Sequence, residues 1–406
     1  MNSPSPSSFL AGVPMGPADP ILGVTEAYNA DKNPRKVNLG VGVYYDEDGR
    51  VPLLECVRQA ERRMQDRAAP HTYLPGDGLA DYNRAVRELV FGADSAAVRE
   101  GRVVTVQALG GTGGLRIGAD FLRRFADGAK VFISDPSWEN HRGLFEAAGF
   151  EVGTYAYYDA ATHGVAFDRM LEALASMPAG SVVVLHACCH NPTGVDLSRD
   201  QWTQVLGSVR AHGLVPFLDI AYQGFGDGID SDGEIVRRFA ESGGPVIVAN
   251  SFSKSFSLYG ERIGALSVVT ASVEESKRVL SQLKRVIRTN YSNPAAFGSQ
   301  VVASVLTSSD GRALWETELA TMRDRIKDLR RGLVERLHAR VPGRNFDFVI
   351  QQRGMFSYSG LTADQVARLR AEYSIYAIDT GRICVAALNA KNLDYVADAI
   401  AAVIKA

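Results

Sequence analysis

Six short runs of apolar, mostly β-branched residues recur between about residues 103 and 250, and stretches with helical periodicity separate most of them. They are VVTVQAL (103–109), KVFIS (130–134), EVGTYAY (151–157), SVVVLH (181–186), LVPFLDI (214–220) and PVIVAN (245–250). A strand that is apolar at nearly every position must be covered on both faces, and strands that alternate with helices pair in parallel. The chain is therefore expected to be an α/β protein built on a mostly parallel sheet covered by helices. Helical patterns follow at roughly 271–289, 294–308 and 315–341. Over the last hundred residues the pattern becomes strand (346–351), Gly-Met-Phe, strand, helix (362–372), strand, helix (391–404). A chain of 406 residues is long for a single core. The expected division is an arm over 1–18, a large domain over 49–319, and a smaller α+β domain from 19–48 with 320–406.

Charge and cysteine usage narrow the partners. The formal net charge is −2 and Lys and Arg are spread along the chain, so no nucleic-acid partner is expected. No apolar run approaches the ~20 residues of a membrane span. The opening MNSPSPSSFLAGVPMG lacks the basic-then-apolar order of a secretory signal. Four cysteines, with Cys188 next to Cys189, make no zinc pattern, and so few in so long a chain point to a reducing compartment. A cytoplasmic protein without metal or membrane partner is expected. Phe9, Leu10, Val13 and Met15 lie among Gly and Pro. They are too apolar for a free tail and too broken for a helix, which suits an arm docked on another subunit.

In open parallel sheets, ligands bind beyond the carboxyl ends of the strands. Asp219 ends LVPFLDI, and a carboxylate at the end of a buried strand is costly unless paired. It is either a helix N-cap or an anion that keeps a ligand's ring nitrogen protonated. Tyr222 either donates to a ligand oxygen or packs in the core, and Gln223 reads as a surface polar group. GGTGG (110–114) joins a strand to a helix. Its glycines let backbone N–H groups approach a phosphate, with Thr112 adding a hydroxyl, though a plain tight turn has the same composition. In HNPTG (190–194) the Asn191–Pro192 bond suits a cis turn, and the Asn191 amide is available to a ring oxygen.

Lys254 sits in NSFSKSFSLYGERIG, where Ser251, Ser253, Ser255 and Ser257 alternate with Phe252, Phe256 and Leu258. Taken alone it is a surface lysine in a serine-rich loop. In a pocket beside fixed cations such as Arg262, its amine pKa falls and it becomes a nucleophile toward an aldehyde. The hydroxyls and Arg262 would then hold a dianionic phosphate. Arg382, among Ile, Cys and Val, needs either an internal carboxylate or a bidentate substrate carboxylate. Arg288, close to Lys284 and Arg285, has the look of a plain basic helix face. His141 and His186 read as satisfied core histidines or as supports beneath Asp219.

With DIAYQGF (219–225), SKSFSLYGER (253–262) and CCHNPTG (188–194) all present, the chain resembles the fold-type I pyridoxal-phosphate (PLP) enzymes. Within them it is similar to the aspartate/aromatic aminotransferase subgroup, from DPILGVTEAY (19–28) to the C-terminus. The resemblance implies PLP as cofactor and a large PLP domain with a small domain closing over substrate. It also implies amino-acid and 2-oxo-acid substrates, and a homodimer with shared active sites whose arms cross. Lys254 matches the Schiff-base lysine that also shuttles the proton. Asp219 matches the partner of the pyridinium nitrogen, with His141 and His186 behind it. Tyr222 and Asn191 match the ligands of the ring oxygen, and Trp138, in DPSWENH, the aromatic stacked on the ring. Gly111, Thr112, Ser251, Ser253 and Arg262 match the phosphate cup. Tyr73, in YLPGDG, matches a phosphate contact from the other subunit, and Ser292 is a similar candidate. Gly42 and Arg382 match the groups that hold the substrate α-carboxylate. Arg288 matches the arginine that meets a side-chain carboxylate from the neighbouring subunit.

Two features bear on substrate choice. Tyr45 and Val51 stand where the aspartate-preferring branch tends to have lysine and threonine, and DIAYQGFG and FSLYGERIG look closer to the aromatic branch. Thr112 and Asn293 look like choices of the aspartate branch. Burying one more ring is worth about 2–3 kcal/mol. The expected reaction is ping-pong transamination of tyrosine and phenylalanine, and of aspartate, with 2-oxoglutarate as acceptor. The alternative is an aspartate aminotransferase with only weak aromatic activity.

Overall fold

A computed structural model describes residues 8–16, 20–67 and 70–405. Val182–His186 is buried at every position. Its alternate residues serve two different cores, with Val182 and Val184 in one apolar layer and Val183 and Leu185 in the other. That split is what successive side chains of one strand must do when helices cover both faces of a sheet. The sheet has seven strands, in the order Val103–Leu109, Ile263–Val269, Val246–Ser251, Val215–Ile220, Val182–His186, Val131–Asp135, Val152–Ala156. All six strands expected from the sequence are present. The seventh, Ile263–Val269, lies antiparallel to both of its neighbours, while the other pairings are parallel.

The strand Ile263–Val269 is not among those the sequence pattern singles out, because IGALSVV runs on directly from the polar SKSFSLYGER segment with no intervening helix. It returns the chain beside Val246–Ser251 after only the Lys254 loop. That loop is thereby clamped between two hydrogen-bonded strands. The register also sets the site: His186 lies level with Asp219, and Ile220 with Asn250.

After the sheet come the helices Val273–Asn290, Phe297–Leu306 and Ser309–Arg340. The last starts earlier than its periodicity suggests, because Ser308 caps it by accepting from the Gly311 N–H. The C-terminal part contains the antiparallel pair Phe356–Tyr358 with Arg382–Cys384, and Ile375–Tyr376 pairs in parallel with Val37–Asn38. One expectation is corrected here: residues 346–351 do not form a strand, and Phe348–Gln351 is a helical turn. Of the buried positions Phe346, Phe348, Val349 and Gln352, the first, third and last stand three apart, and Ile350 is exposed. That spacing of three outweighs the apparent alternation. Of the expected arm, residues 1–7 and 17–18 lie outside the described residues. Between them Phe9 and Met15 are 98% and 96% exposed. No helix among the described residues is long and apolar enough to cross a membrane.

The sheet and the glycine turn meet at Gly264, where a Cβ would stand 2.5 Å from the Gly110 carbonyl carbon and 2.6 Å from the Asn250 oxygen. Gly264→Ala is expected to cost about 1–3 kcal/mol of stability by overpacking, read from urea unfolding. An unchanged midpoint would show that the contact is slack.

Candidate active site

The carboxyl ends of five strands face one cavity of about 220 Å³. Asp219 lies at its floor, 6% exposed. His141 Nε2 and Asp219 Oδ2 are 3.0 Å apart, and Ser137 Oγ lies 2.8 Å from His141 Nδ1. A carboxylate only accepts, so Nε2 carries the proton and Nδ1 accepts from the Ser137 hydroxyl. Burial opposes the Asp219 charge. The His141 hydrogen bond and the fields of His141, His186 and Lys254 together outweigh it and hold the carboxyl below its usual pKa. The helix N-cap reading of Asp219 is therefore set aside.

His141 is a satisfied buried histidine, but His186 is not. Burial first, and then His141, push His186 down to about 3 against the pull of Asp219. Both of its ring nitrogens lack a partner among the described residues.

Lys254 lines the same cavity and is half-buried. Burial drives its amine down to about 8, with Asp219 opposing the shift and Arg262 adding to it. Its Nζ lies 5.0 Å from the centre of the Tyr222 ring, and burial pushes the Tyr222 phenol up. About a tenth of the Lys254 amine is thus neutral and nucleophilic at pH 7.

One end of the cavity suits a phosphate. The helix Gly110–Phe125 starts at the glycine turn, with no side-chain cap and no acidic residue in its first turn, so its first N–H groups are free for an anion. Gly110 has φ of 71°, and a Cβ there would strike Arg262 Nη2 at 2.5 Å. Arg262 Nη1 donates to the Tyr259 carbonyl (3.0 Å) and to Ser253 Oγ (3.4 Å), while Ser251 Oγ accepts from the Ser253 N–H (3.2 Å). Gly111 and Thr112 line this end too.

The other end suits a carboxylate. Arg382 is 1% exposed; its Nη2 donates to the Gly40 carbonyl (2.7 Å) and its Nη1 to Asn191 Oδ1 (3.2 Å). The internal carboxylate that the sequence left open is Glu139, and it comes no closer than 3.8 Å. Arg382 Nε has no partner among the described residues. The guanidinium lies 4.4 Å from the centre of the Phe356 ring. Gly42 admits that ring, since a Cβ there would meet Phe356 Cζ at 2.6 Å. Trp138 and Asn191 line the cavity between the two ends, and the Asn191–Pro192 bond is cis.

The structure does not bring Tyr73, Arg288 and Ser292 to this cavity. They border a separate surface groove with Leu109, the residue before the glycine turn. Arg288 hydrogen-bonds Ser292, and Tyr73 is 93% exposed. Five cavity residues escape the sequence reading: Ile21, Leu115, Ala221, Tyr259 and Phe356. Tyr259 accepts the Tyr44 N–H at its hydroxyl (3.0 Å). It sits inside the SKSFSLYGER motif, whereas Phe356 is singled out only by contacts with distant residues, Gly42 and Arg382 among them.

Fold and cavity define an α/β enzyme site centred on a lysine, with an anion-binding end on either side. The family model for class I and II aminotransferases matches residues 34–400. An aspartate aminotransferase of Pseudomonas aeruginosa is 62% identical over 397 residues, covering 98% of this chain and all of that one. The aromatic-amino-acid aminotransferase of Escherichia coli is 52% identical over 388 residues, 95% of this chain and 97% of its own. The crystal structure of an aromatic-amino-acid aminotransferase from Burkholderia pseudomallei, covalently bound to pyridoxal phosphate, superposes with a TM-score of 0.96. It has 62% identity and covers 98% of this chain and 99% of that one. The chain belongs to the class I and II aminotransferases.

The depressed Lys254 pKa has a consequence for stability. Between pH 8 and about 10.5 the unfolded state holds the lysine proton and the folded state does not, so folding stability rises with pH there. The apoprotein is expected to gain on the order of 3 kcal/mol relative to Lys254→Met across that window. Parallel urea midpoints of the two proteins throughout the window would refute the shift.

Proposed function

We propose that this aminotransferase takes amino groups from tyrosine and phenylalanine, and also from aspartate, and passes them to 2-oxoglutarate by a ping-pong mechanism. Pyridoxal phosphate is its cofactor. The observation that carries the reading is one cavity joining the depressed Lys254 amine, the ionised Asp219 and an uncapped helix N-terminus beside Arg262. The donor set fits the group: a carboxylate for the ring nitrogen, an amine for the aldehyde, and free N–H groups with hydroxyls and a guanidinium for the phosphate. When bound, PLP supplies an aldehyde carbon that takes the amino group and a protonated ring that absorbs the electrons of the Cα–H bond.

The side chains divide the work. Asp219, held by His141, keeps the ring nitrogen protonated, with His186 behind it. Gly111, Thr112, Ser251, Ser253 and Arg262 hold the phosphate. Tyr222 and Asn191 face the ring oxygen, and Trp138 covers the ring. Arg382, beside Gly42, orients the substrate α-carboxylate. Lys254 would then remove the Cα proton as general base and return it on the far side of the amino nitrogen, at the former aldehyde carbon.

Tyr73, Arg288 and Ser292 serve the cavity of a second copy in a homodimer, which accounts for their place along a surface groove in the single chain. The exposed Phe9 and Met15 suit an arm laid on that copy. In this reading residues 49–319 form the PLP domain, 19–48 with 320–406 form the small domain, and the enzyme works in the cytoplasm.

Aromatic use rests on Tyr45 and Val51; Tyr45 follows Tyr44, whose N–H donates to Tyr259 at the cavity wall, and neither Tyr45 nor Val51 lines the cavity itself. The relative from Pseudomonas aeruginosa, named for aspartate, favours the alternative of an aspartate enzyme with weak aromatic activity. Purified holoenzyme assayed with 2-oxoglutarate is expected to turn over tyrosine, phenylalanine and aspartate. Aromatic rates at background would leave the alternative standing. Lys254→Ala should lose turnover while still binding PLP, and normal transamination by that variant would sink the assignment. Arg382→Ala should lower kcat/KM by about 2–5 kcal/mol in transition-state terms, and equal kcat/KM would remove Arg382 from the carboxylate site.

A further inference from the structure

The loop that carries Asn191 does not follow regular backbone geometry. Cys189 has φ of 51°, a left-handed conformation that residues with a Cβ seldom adopt. Two backbone N–H groups there point into the loop instead of into a sheet or helix. Asp196 takes both: Oδ2 accepts from the Cys189 N–H at 2.7 Å and Oδ1 from the His190 N–H at 2.8 Å. On the opposite side the loop is tied to the C-terminal segment. The Arg353 N–H donates to the Gly194 carbonyl (2.7 Å) and the Tyr358 N–H to the Thr193 carbonyl (3.3 Å). Between these anchors Asn191 Oδ1 receives Arg382 Nη1, and Tyr358 pairs with Arg382 in the strand register.

We propose that Asp196 is a positioning residue, whose bidentate grip on the Cys189 and His190 amides sets the height of Asn191 and, through it, the orientation of the Arg382 guanidinium toward the substrate carboxylate. The proposal rests on the reading of Asn191 and Arg382 given above. Asp196 does not line the cavity and touches no reacting atom. It faces a separate cavity of about 390 Å³ on the far side of the loop. An ionised carboxylate accepting two N–H bonds is stronger than a neutral acceptor. An amide in its place would offer one acceptor and turn an NH₂ toward the second N–H.

The test compares holoenzymes of Asp196→Asn and Asn191→Ala with the wild type, reading kcat and KM separately, the pH midpoint of the cofactor's absorbance, and the melting temperature. For Asp196→Asn, KM for tyrosine and for aspartate should rise about tenfold, the weight of one hydrogen bond. kcat should move much less, and the absorbance midpoint should shift in the same direction as in Asn191→Ala. If Asp196→Asn does not fold, Asp196→Glu, which keeps the charge and displaces the acceptors by one methylene, should give the same pattern. A lower melting temperature with unchanged KM and midpoint would make Asp196 merely structural and overturn the proposal. If Asn191→Ala itself leaves KM and midpoint unchanged, the reading of Asn191 fails first and the proposal falls with it.

Discussion

Keeping Asp219 ionised inside the protein is the constraint on which the rest of the site depends. A buried carboxylate is expensive unless its charge is met, and nothing about the strand Val215–Ile220 alone would meet it. The compensation comes from three other places in the chain. His141 sits at the start of the helix Glu139–Ala147, His186 at the end of the next strand in register, and Lys254 in the loop beyond Val246–Ser251. Asp219 in turn works against the desolvation of Lys254, so the amine settles near 8 instead of falling further. A change at His141, His186 or Lys254 alters the titration of Asp219, and the sheet that fixes their spacing is part of the electrostatics.

Residues whose chemistry is set by neighbours along the chain are legible in the sequence, and those set by a distant contact are not. The apolar runs reveal six strands because burial on both faces leaves a continuous hydrophobic record. Ile263–Val269 carries the same record but is hidden by the motif that precedes it. Lys254, Asp219, Asn191 and Arg262 stand out as polar groups at strand ends. Phe356 does not, because its place at the cavity depends on Gly42, in a distant part of the chain. The turn at Phe348–Gln351 reads as a strand for a related reason. A short run of mixed polarity fits a period of two or of three equally well, and Arg330, donating to the Val349 carbonyl from another helix, belongs to the arrangement that decides between them.

The loops around the cavity share a way of being held. Asp232 accepts from the N–H groups of Gly224, Gly226 and Asp227, just after Tyr222, as Asp196 does beside Asn191. Arg330, fully buried, donates to the carbonyls of Val349, Gly354 and Phe356 and to Ser357 Oγ. In each case one charged side chain answers several backbone groups that no strand or helix satisfies. Buried backbone groups must be paired, so irregular loops at the rim can be shaped freely only when such a residue stands behind them.

The Arg382 guanidinium reaches Gly40 and Asn191 but leaves Nε unpaired among the described residues and its nearest carboxylate out of hydrogen-bond range. On the proposed reading, the substrate carboxylate completes the shell of this buried guanidinium. An amine of the same shape that lacks a carboxylate would fill the cavity while leaving that shell open. Its exclusion therefore needs no clash and no gate. On the proposed reading of Arg382, decarboxylated amines would be disfavoured by the cost of leaving one of the enzyme's own charges unanswered.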